Sequence, residues 1–169
     1  FAELLNSASQ EPPHAPPDSE STAVVLFTSG ATGLPRGVML SHRSLSANLD
    51  QLLKISNPPI SLPSDVVLGL LPMFHVYGLN CVLSMSVRTG ATVVLIDEFN
   101  PGEVLEQIRQ YSITYVPVAP PVISAWAGLD SLAEALASVR IIVSGASALD
   151  PDLAAGFFNL SGHPVEQGY

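Results

Sequence analysis

The sequence predicts an α/β fold, a mostly parallel sheet covered by helices, and two observations carry the prediction. From Thr22 onward, short β-branched apolar runs alternate with segments whose apolar residues recur at helical spacing. Proline, asparagine or glycine punctuates most of the junctions between them. Strands that alternate with helices build parallel sheets through right-handed crossovers. Ligands of such sheets sit at the carboxyl ends of the strands.

Each element has a local reason. Residues 1–21 include "ASQEPPHAPPDSES", rich in Pro, Ser and acid and without periodicity, which is the composition of a linker or surface segment. His14 within it is expected to be solvated. "AVVLFTS" reads as a buried strand. Ser41 is placed to N-cap a helix with Leu45, Leu49, Leu52 and Leu53 on one face, stopped by Asn57-Pro58-Pro59. "VVLGLLP" is the next strand. "GLNCVLSMSVRTG", apolar nearly all round, reads as a buried helix ending at Gly90, and "ATVVLI" as a third strand. Asn100-Pro101-Gly102-Glu103 supplies an N-cap, a first-turn proline and an acid at the third position. Its helix is expected to turn Val104, Leu105, Ile108 and Tyr111 inward. "ITYVPVA" is a strand, and "PPVISAW" and "SLAEALAS" are short helices. "VRIIVSG" is another strand, Asp150-Pro151 opens a helix ending near Gly162, and "PVEQGY" begins a last strand.

Composition narrows the function. A chain of 169 residues, 47% of them hydrophobic, suffices for one domain with a real core. Its net charge of −9 argues against a nucleic-acid partner, which needs a basic footprint. One window escapes the acidity: no carboxylate lies between Glu20 and Asp50, where Arg36 and Arg43 stand. The single cysteine, Cys81, excludes an internal disulfide and a cysteine-based metal cluster. It reads as a small buried hydrophobe in a reducing, cytoplasmic compartment. No apolar run approaches the roughly 20 residues of a membrane helix, and no signal peptide is visible. His14, His42, His75 and His163 lack ligand spacing, so no metal ligand is expected in this chain, and His42 and His163 read as surface residues. Neither Ser29 nor Ser147 stands in the G-x-S-x-G of a serine hydrolase.

The stretch "LFTSGATGLPRGVMLSH" (26–42) is the strongest signal. Its glycines let backbone N–H groups converge on an anion, its hydroxyls add donors, and Arg36 suits a phosphate. It is neither the G-x-x-x-x-G-K-[ST] loop nor the G-x-G-x-x-G fingerprint. On composition, a phosphate cradle and a turn that merely needs flexible residues both fit.

The stretch resembles the phosphate-binding loop of the adenylate-forming (AMP-binding) superfamily, which includes acyl-CoA synthetases and 4-coumarate–CoA ligases. "LLPMFHVYGLN", "VSGASALDPDL" and "VEQGY" resemble three further motifs of that family, in the family's order. The resemblance implies part of the large N-terminal domain of such an enzyme, with 22–169 a partial AMP-binding domain truncated at both ends. It implies ATP and CoA as substrates beside a small-molecule carboxylic acid, with Mg²⁺ as cofactor. Thr28, Ser29, Gly30, Ala31, Thr32, Gly33 and Arg36 would bind the ATP phosphates. His75 would be catalytic, orienting the carboxylate, and Val76, Tyr77 and Gly78 would shape the acyl pocket. Gly145, Ala146, Ser147, Gln167, Gly168 and Tyr169 would bind the adenine and acyl-adenylate.

The sequence departs from the family pattern at several positions. Arg36 stands where lysine is usual, Ala31 where Ser or Thr is usual, and Ala148 where proline is common. The family's Mg²⁺-serving glutamate, ribose-gripping acid and catalytic lysine are expected beyond Tyr169. The readings are a fragment of an acyl- or aryl-CoA ligase, inactive alone, a non-catalytic nucleotide-binding or interaction module derived from one, or adenylation for a carrier protein. Fatty, aryl and branched acids all suit "HVYGLN".

Overall fold

The computed structural model describes residues 18–28, 33–55 and 60–168. They fall into two compact units, residues 1–46 and 47–169. His14, most of the expected linker and the Asn57-Pro58-Pro59 stop lie outside the described residues.

In the first unit, β1 (Thr22–Thr28) and β2 (Arg36–Ser41) form a two-stranded antiparallel sheet. The register runs from Thr22 opposite Ser41 to Thr28 opposite Arg36, with a shift between Thr22 and Val24. This corrects the expected buried strand: β1 is half-exposed to exposed throughout, and Phe27 is 75% exposed. The six-residue run "RGVMLS" is a second strand that pairs with the first, so the loop in between joins a hairpin rather than a strand to a helix. The helix α1 (His42–Lys54) follows directly and continues into the second unit. Ser41 Oγ accepts the Ser44 N–H at 3.2 Å, the expected N-cap.

The second unit is a parallel sheet of five strands in the order β4-β3-β5-β6-β7. These are β3 (Val66–Gly69), β4 (Thr92–Leu95), β5 (Tyr115–Val118), β6 (Ile141–Gly145) and β7 (Val165–Gly168). The order reverses at β3, since β4 lies on one side of it and β5 to β7 on the other. That reversal is the topological switch point of a doubly wound sheet.

Alternation along the strands builds a core on each face. Leu68, Val116, Val118 and Ile142 join Val104, Ile108, Ile123, Trp126, Leu136 and Phe157 in the larger core. Those partners come from α3 (Pro101–Gln110), α4 (Pro120–Trp126), α6 (Pro151–Ser161) and the segment that ends α5 (Leu132–Ala135). Val67, Tyr115 and Val143 point the other way and meet Val82. Buried Trp126 keeps its ring N–H satisfied on the Pro101 carbonyl at 3.1 Å.

Caps end the helices where expected. Asn100 Oδ1 accepts from Gly102 N and Glu103 N at 3.2 and 3.3 Å, and its amide donates back to Glu103 Oε1. Asp150 Oδ1 accepts from Asp152 N and Leu153 N, and Gly162 closes α6 in the left-handed conformation. Val104, Leu105 and Ile108 turn inward as expected, but Tyr111 is 50% exposed. It is the C-cap residue, where the helical repeat that aimed it at the core has already ended.

The segment expected as a buried helix is a π-helix, Tyr77–Ser84, running into α2 (Met85–Thr89). Met85 N–H reaches Asn80 O, and Ser84 Oγ donates to Leu79 O at 2.9 Å, which widens the turn. The segment is buried on one side only, since Leu83 and Val87 are exposed and Cys81 is half-buried. Burial still pushes the Cys81 thiol up, away from the thiolate.

The amino ends of three strands are tied by a half-buried polar cluster around Asp65, which apolar spacing does not signal. Arg140 lies against Asp65 with Nη2 to Oδ2 at 2.6 Å and Nε to Oδ1 at 3.2 Å. Thr114 Oγ1 donates to Asp65 Oδ1 at 2.8 Å, the Leu62 N–H donates to Oδ2, and Arg140 also donates to Ile60 O. Asp65 opens β3, Thr114 precedes β5 and Arg140 precedes β6, so one carboxylate aligns three strands.

Candidate functional site

The carboxyl ends of β3, β6 and β7 carry the described candidate residues of the second unit. After β3 the chain passes Leu70-Leu71-Pro72 to reach Phe74 and His75, both exposed. The His75 N–H donates to Pro72 O at 3.1 Å, and His75 O accepts from Leu79 N at 2.9 Å, so His75 stands at the head of the π-helix. Its ring Nδ1 accepts the Tyr77 backbone N–H at 3.3 Å. A ring nitrogen that accepts carries no proton, so in the neutral imidazole the proton is on Nε2. On the neutral ring Nε2 is therefore the N–H donor.

Tyr77 turns inward. Its hydroxyl donates to Val143 O at 3.1 Å, across 66 residues of sequence. Burial, with a smaller contribution from Cys81, pushes the phenol far above its ordinary range, so Tyr77 is a fixed donor. Its ring lies over Gly145: a Cβ there would fall 2.8 Å from Tyr77 Cε1 and Cζ and 2.9 Å from Gly168 O. Gly145 is therefore glycine because of close approach. Gly78 has the same reason, since a Cβ would meet Pro72 O at 2.2 Å. Val76, expected at the acyl pocket, is 40% exposed, whereas Gly78 is buried against backbone.

Beyond β6, Ala146 has φ 70°, a left-handed conformation costly for alanine, and Ala146 and Ser147 are exposed. The strained residue sits at the carboxyl edge, where strain marks functional loops. Gly145 pairs with Gly168 and Ser144 with Gln167 in the β6–β7 ladder. Gln167 Oε1 accepts from Leu149 N at 3.3 Å. His75, Tyr77, Gly145, Gly168 and Gln167 are thus joined by successive contacts.

On the face of β6 that Tyr77 covers, a cavity of about 440 Å³ is lined by Leu52, Ile55, Ile141, Val143, Glu166 and Gly168, among others. Val143, Glu166 and Gly168 belong to two of the motifs read in the sequence, whereas Leu52, Ile55 and Ile141 lie outside them. Ser144, within "VSGASALDPDL", is buried, and its Oγ has no hydrogen-bond partner among the described residues.

In the first unit, Thr28 and Arg36 face each other across the last rung of the hairpin, and Gly33 has φ 82°. Arg43 pairs with Glu20 through Nε and Nη2, while Arg36 makes no ion pair among the described residues. The cation left beside the loop is therefore Arg36. Ser29, Gly30, Ala31, Thr32 and Tyr169 lie outside the described residues. His42 and His163, expected at the surface, are half-buried.

A doubly wound parallel sheet with small residues and one histidine at its carboxyl edge defines a ligand-binding α/β protein. The family model "AMP-binding enzyme" matches residues 2–169. The chain belongs to the AMP-binding enzyme family. It is 37% identical over 155 residues to 4-coumarate–CoA ligase 1 of Oryza sativa subsp. japonica, covering 90% of this chain and 28% of that protein. It superposes on apo MatB from Rhodopseudomonas palustris with a TM-score of 0.88 at 23% identity, over 99% of this chain and 32% of that one. That likeness establishes the fold. A malonyl-CoA ligase ternary product complex with methylmalonyl-CoA and AMP bound gives a TM-score of 0.81 at 27% identity, over 93% of this chain and 35% of that one. The chain spans little more than a quarter of the length of the rice relative. Among the described residues no helix is long and apolar enough to cross a membrane.

Proposed function

We propose that this chain forms part of the adenylation site of an AMP-forming acid–thiol ligase. The observation that supports it best is the linked set of His75, Tyr77, Gly145 and Gly168 at the carboxyl edge of the sheet. In the reaction, a carboxylate attacks the α-phosphate of ATP, the bond to the β-phosphate breaks, and acyl-AMP and pyrophosphate form. A thiol, that of CoA on this reading, then displaces AMP to give a thioester.

The first step joins two anions, so it needs positioning and charge neutralisation more than a protein nucleophile. The Nε2–H of His75, with Nδ1 engaged by the Tyr77 amide, would donate to the carboxylate and hold it in place. The exposed backbone of Ala146 and Ser147, next to the Tyr77-packed Gly145, would meet the flat ring or acyl group. In the hairpin loop, Thr28, Ser29, Gly30, Ala31, Thr32, Gly33 and Arg36 would take the leaving phosphates, Arg36 by a planar fork. Mg²⁺ bound with ATP supplies further neutralisation. Among the described residues no three His, Cys, Asp or Glu side chains gather, so no step is assigned to the ion here.

Carboxylate-dependent ATP–pyrophosphate exchange in the full-length protein tests the proposal, using cinnamates, fatty acids and short dicarboxylates. Exchange with one class of acid supports adenylation and names the class. A folded full-length protein that binds ATP but exchanges with none is a non-catalytic nucleotide-binding module. If exchange occurs, thioester formation with CoA or with a carrier protein identifies the acceptor.

A further inference from the structure

Gln167 was expected on the adenine, but its side-chain oxygen is already engaged by the Leu149 N–H at 3.3 Å. Leu149 ends the short connection between β6 and α6, and its side chain is 3% exposed. The far end of the connection is thus held twice, by a buried side chain and by a hydrogen bond from the neighbouring strand. The near end is held at Gly145, between the Tyr77 ring and the Gly168 carbonyl. Between the two anchors lies Ala146 at φ 70°. Left-handed backbone costs an alanine about 1–2 kcal/mol, so a free loop of this composition would relax out of it. Constraint must come from outside the loop. Among the described residues, Gln167 is the side chain that hydrogen-bonds its backbone.

We propose that Gln167 is a positioning residue that acts through Leu149, holding Ala146 in its left-handed form so that the backbone of residues 145–147 meets the nucleotide. The role of the loop rests on the adenylation reading; the brace itself does not. The glutamine does two things at once, since its main chain continues the ladder beside Ser144 while its side chain clamps the neighbouring loop.

The test compares Gln167→Met and Gln167→Glu in the full-length protein, each with and without Ala146→Gly. Methionine fills the space without an acceptor, and glutamate restores one. The first readout is hydrogen exchange at the Leu149 amide. Gln167→Met is expected to speed it about fivefold, the worth of one net hydrogen bond, and Gln167→Glu to restore protection. The second is the KM for ATP in pyrophosphate exchange, expected to rise about fivefold in Gln167→Met with kcat changed less, on the same reckoning. Glycine adopts positive φ freely, so in the Ala146→Gly background the KM penalty should shrink.

Unchanged Leu149 exchange in Gln167→Met would overturn the brace. A KM penalty of equal size in the Ala146→Gly background would overturn action through the loop and place Gln167 directly on the nucleotide. Faster Leu149 exchange in a protein that shows no pyrophosphate exchange would support the brace and charge the failure to the adenylation reading.

Discussion

His75 illustrates how a backbone contact sets the chemistry of a side chain. Because Tyr77 N–H occupies Nδ1, Nε2 is the donor of the neutral ring, and on the adenylation reading its removal takes a donor away from the carboxylate. His75→Ala is expected to slow pyrophosphate exchange about 100-fold, the usual worth of a preorganised donor, with the melting temperature nearly unchanged because the residue is exposed. An unaltered rate with every accepted acid would remove His75 from the mechanism. Arg36→Ala should raise the KM for MgATP about tenfold or more, as expected for a charge-assisted phosphate contact, while AMP binding is spared. Equal losses for ATP and AMP would take Arg36 off the distal phosphates. Gly145→Ala puts a methyl group 2.8 Å from the Tyr77 ring. Overpacking of this kind costs about 1–3 kcal/mol, and the displaced ring should lower activity more than stability. Denaturant unfolding and exchange kinetics on the same variant separate the two.

Among the elements, the helices are set by local chemistry and the strands by partners. Asn100 caps α3 with two accepted N–H bonds. Asn100→Ala should destabilise the protein by about 1 kcal/mol, read as a lower urea midpoint at unchanged slope. The caps were legible because they involve residues two or three positions apart. The hairpin was not. "RGVMLS" is too short to declare itself, and only its pairing with β1 makes it a strand. The π-helix escaped for a similar reason, since its wide turn depends on the Met85-to-Asn80 bond that apolar spacing does not encode.

For the molecule as a whole, the half-buried cluster at the amino ends of the strands contributes to the response to acid. Burial alone would raise the Asp65 carboxyl. Its bonds to Arg140, the Leu62 amide and Thr114 outweigh burial and hold it below the ordinary carboxylate range. A carboxylate depressed in the folded state stabilises fully above its unfolded value, and that share is lost as pH falls through the folded one. Stability of the wild type should therefore decline below about pH 4, the ordinary aspartate range. Asp65→Asn should cost about 3 kcal/mol at neutral pH, because it removes the carboxylate charge that faces Arg140. It should also flatten the acid limb of a melting-temperature profile. A variant whose profile runs parallel to the wild type would exclude Asp65 as the titrating group.

The alternation of strands and helices, the parallel sheet, the caps at Ser41, Asn100 and Asp150, and the candidate site residues were all written in the chain. Each depends on residue type at short spacing, which a sequence displays directly. The ring of Tyr77 on Gly145, the hold of Gln167 on Leu149, and the tie of Arg140 to Asp65 join residues 68, 18 and 75 positions apart. Such contacts follow from strand order and register, which exist only once the sheet has formed. The chain specified which groups could serve a nucleotide, and the folded sheet decided which of them lie together at its carboxyl edge and which hold one another in place.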